Sequence, residues 1–170
     1  MKRSSGRGRS SRLGVLLSAT ALVVLPGVAG CSYVSPNTTA TTYAAADGTN
    51  GEIIDPNTDS GVQLRNFLVV GKEKGGPGTL IGAVLNEGTE PVTVTLTVLD
   101  SEGKSLGDAG TVTARPAELT QVGGQGPGTV SVESVTPGTV VQLEARTPAG
   151  KAVMSLPVLA AEGHYADVAP

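Results

Sequence analysis

Residues 92–98 read Val-Thr-Val-Thr-Leu-Thr-Val. This strict period of two puts Val92, Val94, Leu96 and Val98 on one face of an extended chain and Thr93, Thr95 and Thr97 on the other. A helix would scatter the same residues around its circumference. Six of the seven are β-branched, with stiff side chains that pack well on a pleated surface. One apolar face and one hydroxyl face describe a strand with its back to a core and its front to water, which is how antiparallel sheets are built.

The rest of the chain from Glu52 to Ala160 repeats this theme in short runs broken by turn residues. In 62–70, Val62, Leu64, Leu68 and Val70 alternate with Gln63, Arg65, Phe67 and Val69. Further runs cover 79–86, 111–114, 118–122, 130–132, 140–146 and 151–159, the last containing Pro157, which marks an edge or a bulge. Glu87-Gly88-Thr89-Glu90-Pro91, Ser101-Glu102-Gly103-Lys104 and Pro148-Ala149-Gly150 read as turns. No stretch of 52–160 carries helical spacing over about ten residues. The expected fold is an all-β antiparallel sandwich of about seven strands, immunoglobulin-like or cupredoxin-like, over residues 52–160. Residues 161–170 show no apolar face and read as a flexible tail.

The start of the chain follows a different logic. Lys2, Arg3, Arg7, Arg9 and Arg12 precede an apolar run from Leu13 to Leu25, which ends at Pro26-Gly27. Val28-Ala29-Gly30-Cys31 then places small residues before the only cysteine. A basic start, a short apolar middle and a small-residue exit are the parts of a secretory signal peptide. A cysteine directly after that exit makes a lipobox. Residues 1–30 are therefore expected to be cleaved and Cys31 to carry a diacylglycerol, which anchors the protein to the outer side of the cell membrane. The apolar run is shorter than the roughly 20 residues a membrane-spanning helix needs. Residues 31–51, rich in Ser, Thr, Ala and Asn, read as a flexible tether.

Charge narrows the partners. The segment before Cys31 holds five of the 12 basic residues and none of the 15 acidic ones. Residues 31–170 carry 7 basic against 15 acidic side chains, a net −8 without basic patches. Nucleic acid is an unsuitable partner for such a surface.

The inventory of reactive side chains is thin. His164 is the only histidine, so a multi-histidine metal site or a Ser-His-Asp triad finds no members within one chain. The glycine-rich stretches at 75–78 and 123–128 lead into strands and carry prolines, whereas a phosphate loop opens a helix. Asp55, Asn57 and Asp59 match the first positions of a calcium loop, but the glycine comes one residue late and Asn66 stands where a bidentate glutamate belongs. The same residues make ordinary turns. The reading is no catalytic residues, no metal site and no cofactor.

Two segments, Val62-Gln63-Leu64-Arg65-Asn66-Phe67-Leu68-Val69-Val70 and Leu80-Ile81-Gly82-Ala83-Val84-Leu85-Asn86-Glu87-Gly88, together with Thr136-Pro137-Gly138-Thr139-Val140-Val141-Gln142-Leu143, resemble the LpqE-like lipoproteins of actinobacteria. That family is similar in fold to periplasmic copper chaperones of the PCuAC type. The resemblance spans roughly residues 60–160 and implies a cupredoxin-like sandwich on the cell surface. The copper chaperones bind copper through histidine and methionine ligands, of which the chain after Cys31 retains only Met154 and His164, so the resemblance carries no ligand over to this chain. Met154 sits in a strand and reads as core; His164 sits in the tail and reads as solvated. The expected function is thus a lipid-anchored, non-catalytic binding or accessory module of the cell envelope, acting on an envelope protein or a wall component. The alternatives are a copper chaperone-like protein without the usual ligands and, further off, an envelope enzyme.

Overall fold

The computed structural model describes residues 46–58, 60–124 and 126–168. Cys31, the signal segment and the tether up to residue 45 lie outside the described residues, as does Asp59. Among the described residues nine strands follow one another: β1 (Thr49–Ile54), β2 (Gly61–Gly71), β3 (Gly76–Asn86), β4 (Val92–Leu99), β5 (Gly110–Ala114), β6 (Leu119–Val122), β7 (Val130–Val135), β8 (Val140–Thr147) and β9 (Gly150–Ala160). A short 3-10 turn, η1 (Gly163–Tyr165), ends the described chain. No helix among the described residues is long and apolar enough to cross a membrane.

The all-β sandwich expected from the periodicity is present. One layer pairs β5, β4, β8 and β9 in that order, antiparallel throughout. The other sets β1 and β3 on either side of β2, with β6 and β7 sharing the far edge of β3. β9 belongs to both layers. It runs antiparallel to β8 up to Pro157, then pairs with β2 in parallel at Val158, Leu159 and Ala160. The crossing nearly closes the sandwich into a barrel.

Pro157 sits at the changeover. The Val158 N–H donates to Thr139 O at 2.9 Å, so strand parity turns the Pro157 nitrogen away from β8. A residue without an N–H is tolerated there because pairing with β2, on the side its nitrogen faces, begins only at Val158.

Val94, Leu96 and Val98 of β4 are buried, as the Thr/Val alternation requires. They meet Leu143 and Ala145 from β8, Leu156 from β9, and Leu64, Leu80 and Val84 from the opposite layer in one core. Facing in β2 differs from the sequence reading. Val62 and Leu64 point inward, but a bulge between Arg65 and Leu68, with Asn66 at φ 51°, inserts one extra residue. The alternation reverses there, so Phe67 and Val69 enter the core and Leu68 and Val70 face outward.

That reversal explains the other end of the chain. Leu68 and Val70 make a second apolar cluster outside the sandwich, against which Leu159, Ala161, Tyr165 and Val168 pack. Residues 161–168 are therefore seated on the sheet, in contrast to the frayed tail expected from the sequence. At the N-terminal boundary the sheet begins at Thr49, three residues before Glu52, where the sequence pattern starts the domain. Gly76-Pro77-Gly78, which reads as part of a wide loop, lies in β3 instead. Gly78 is needed there: a Cβ would stand 2.7 Å from the Val135 side chain.

Candidate functional site

Three turns meet at one end of the sandwich: 55–60 between β1 and β2, 87–91 between β3 and β4, and 148–149 between β8 and β9. Between them lies a cleft of about 410 Å³. Ile53, Val62, Val92 and Ala149 form an apolar lining, and Asp55, Glu87, Glu90, Ser60 and Thr89 supply polar groups.

The cleft is held by Asn86, a residue 1 % exposed. Its Nδ2 donates to Glu90 O at 2.7 Å and to Ala114 O at 3.0 Å, and its Oδ1 accepts from Gly88 N at 2.9 Å. One amide side chain thus takes over the hydrogen bonds that a turn leaves open. Sequence reasoning assigned no role to Asn86. Its only signal was its place as the last strand residue before Glu87-Gly88, where Asn commonly organises a turn. The Glu87 carboxylate accepts from Gln63 Nε2, and Arg65 in turn donates to Gln63 Oε1. A short polar chain therefore runs from the cleft along the outer face of β2.

On the other wall, Asp55 Oδ1 accepts from Asn57 N at 2.8 Å and from Asn57 Nδ2 at 3.1 Å. Asp55 N donates to Ser60 O at 2.8 Å. Asp55 and Asn57, two of the oxygen ligands a calcium loop would use, thus form an Asx turn. Among the described residues, no three His, Cys, Asp or Glu side chains gather in a metal-holding arrangement.

The residues singled out from the sequence lie elsewhere. Met154 is in the core, with its sulfur 2.5 Å from where a Cβ on Gly51 would stand. His164 is exposed on η1. Cys31 lies outside the described residues. On the hydroxyl face of the β5–β4–β8–β9 layer, Glu144 accepts from Arg146 at 2.6 Å and from Lys151 at 3.2 Å. The Arg146 hydrogen bond first, and that of Lys151 second, hold its carboxyl below the ordinary value.

No family model matches the chain, and no curated protein matches it. Among solved structures, a β-glucuronidase from glycoside hydrolase family 2 shares part of its chain path, at 12 % identity and a TM-score of 0.37. The match covers 58 % of this chain and 11 % of that one, so the chain spans only a small part of the enzyme's length.

Proposed function

We propose that the protein is a lipid-anchored, non-catalytic binding or accessory module of the cell envelope, held to the membrane through Cys31 on the extracytoplasmic side. It would work on an envelope protein or a wall component. The observation that supports this reading is the cleft of about 410 Å³ between the turns at 55–60, 87–91 and 148–149. An apolar lining with a few hydrogen-bonding groups at its mouth suits a module that binds a partner. Two acyl chains supply the anchoring free energy, at about 0.8 kcal/mol per buried methylene.

The test is Cys31→Ser with detergent phase partitioning of the cell envelope. The parent is expected in the detergent phase; the variant is expected either unprocessed or in the aqueous phase. A correctly cleaved variant retained on the membrane to the same extent as the parent would overturn the anchoring. A photo-crosslinking residue at exposed Thr89, beside the cleft, then tests the binding end. Adducts are expected there and not from Thr97, on the outer face of β4.

A further inference from the structure

Leu68 and Val70 are fully buried, yet they stand outside the main core. The segment after β9 covers them. Its one backbone link to β2 is at its root, where Ala161 N donates to Gly71 O at 3.0 Å. Beyond that point its backbone bonds are local: Glu162 N to Ala160 O at 2.8 Å, Tyr165 N to Glu162 O at 3.0 Å, Ala166 N to Gly163 O at 3.4 Å and Val168 N to Tyr165 O at 3.1 Å. The segment therefore holds its own turn and meets the sheet through the side chains of Ala161, Tyr165 and Val168. Gly163, at φ 55°, stands where it turns back over the sheet.

One polar bond extends the contact to the other terminus. The Tyr165 hydroxyl donates to Asp47 Oδ2 at 2.8 Å. Burial, and then this bond to a carboxylate, push the phenol above its ordinary value, so it remains a donor at neutral pH. Asp47 begins a stretch clamped onto the bulge: Gly48 N donates to Asn66 Oδ1 at 2.7 Å, and Asn66 N donates to Asn50 Oδ1 at 2.8 Å.

We propose that residues 161–168 are a strap that closes over the outer face of β2 and locks the chain's entry at Asp47–Asn50, and that it opens as a unit while the sandwich stays folded. The two apolar clusters share no residue, so lifting the strap removes nothing from the main core. Segments tied by few contacts open at lower free energy than the core around them. Val168 of the strap and Ile81 beneath it also line a groove of about 470 Å³ that continues to Leu119 and Val122. The open form thus joins Leu68 and Val70 to that groove; the closed form keeps Leu68 and Val70 covered by the protein's own chain and leaves Leu119 exposed.

Native-state hydrogen exchange on the full chain in detergent micelles, at rising urea below the unfolding transition, tests this. The amides of Tyr165, Ala166 and Val168 report the strap, those of Gly48 and Asn66 the entry, and 94–98 and 141–145 the core. Strap and entry amides are expected to open together, about tenfold or more faster than the core. Tyr165→Phe keeps the ring and removes one hydrogen bond, so Gly48 and Asn66 should exchange about fivefold faster with the core unchanged. Strap amides that merge with the core at every urea concentration would overturn the proposal. So would a Tyr165→Phe variant in which Gly48 and Asn66 keep the parental rate.

Discussion

Replacing Gly82 by alanine tests the packing of the bulge against β3. A Cβ at Gly82 would stand 2.6 Å from two ring carbons of Phe67 and 2.8 Å from a third. Carbon atoms sit comfortably at about 3.5–4.0 Å, so the ring must retreat by about 1 Å. Phe67 is fully buried and close-packed, and its backbone is pinned by the bulge, so there is little room to give. Overpacking of this kind costs about 1–3 kcal/mol, a large fraction of the roughly 5–15 kcal/mol typical of a domain. With a urea slope of about 1–3 kcal/mol per molar, the midpoint should fall by about 1 M at unchanged slope. Phe67→Ala alone should cost about 3–5 kcal/mol by leaving a void. The Gly82→Ala methyl points into that void, so the double variant should lose less than the two single losses added together. Additivity to within about 0.5 kcal/mol, or a Gly82→Ala midpoint equal to the parent, would refute the contact.

Val94→Asp should abolish folding as seen by near-UV circular dichroism, because it buries an unpaired carboxylate at several kcal/mol. Thr95→Asp, on the outer face and opposite Arg146 in the β4–β8 register, should change the unfolding free energy by less than about 1 kcal/mol. Asn86→Ala should cost about 1–3 kcal/mol in urea unfolding and loosen 87–90 to proteolysis, since it leaves the Glu90 and Ala114 carbonyls without their donor. Glu144 has a lowered folded pKa, so its contribution is complete above the ordinary carboxylate value and disappears as pH falls through the lowered one. Glu144→Gln should flatten the acid limb of the stability profile in that window, and added salt should shrink the difference because the pair is exposed. An acid limb identical in parent and variant would count against the Arg146–Glu144–Lys151 cluster.

The alternation of Val and Thr along 92–98 determined the strand, its facing and the all-β class without further help, because side-chain period is a local property of the extended chain. The same holds for the turns at 87–91, 101–104 and 148–150, whose residue types act within four or five positions. The features that only the tertiary structure decided have a common origin in one inserted residue. Along 62–70 both faces are apolar after Arg65, so the pattern cannot say where the parity changes; the bulge at Asn66 forms only because β1 and β3 pair on either side of it. From that reversal came the outward pair Leu68 and Val70, the seat for Tyr165 and Val168, and the order of a segment whose own sequence has no apolar period. The cleft was illegible for a related reason. Its walls come from turns that are close in space and far apart in sequence, and Asn86 acquires its role only when Ala114, 28 residues on, brings a carbonyl within reach. The expected lipobox stands apart from both, since a processing enzyme would read Val28-Ala29-Gly30-Cys31 as a linear string and needs no fold to do so.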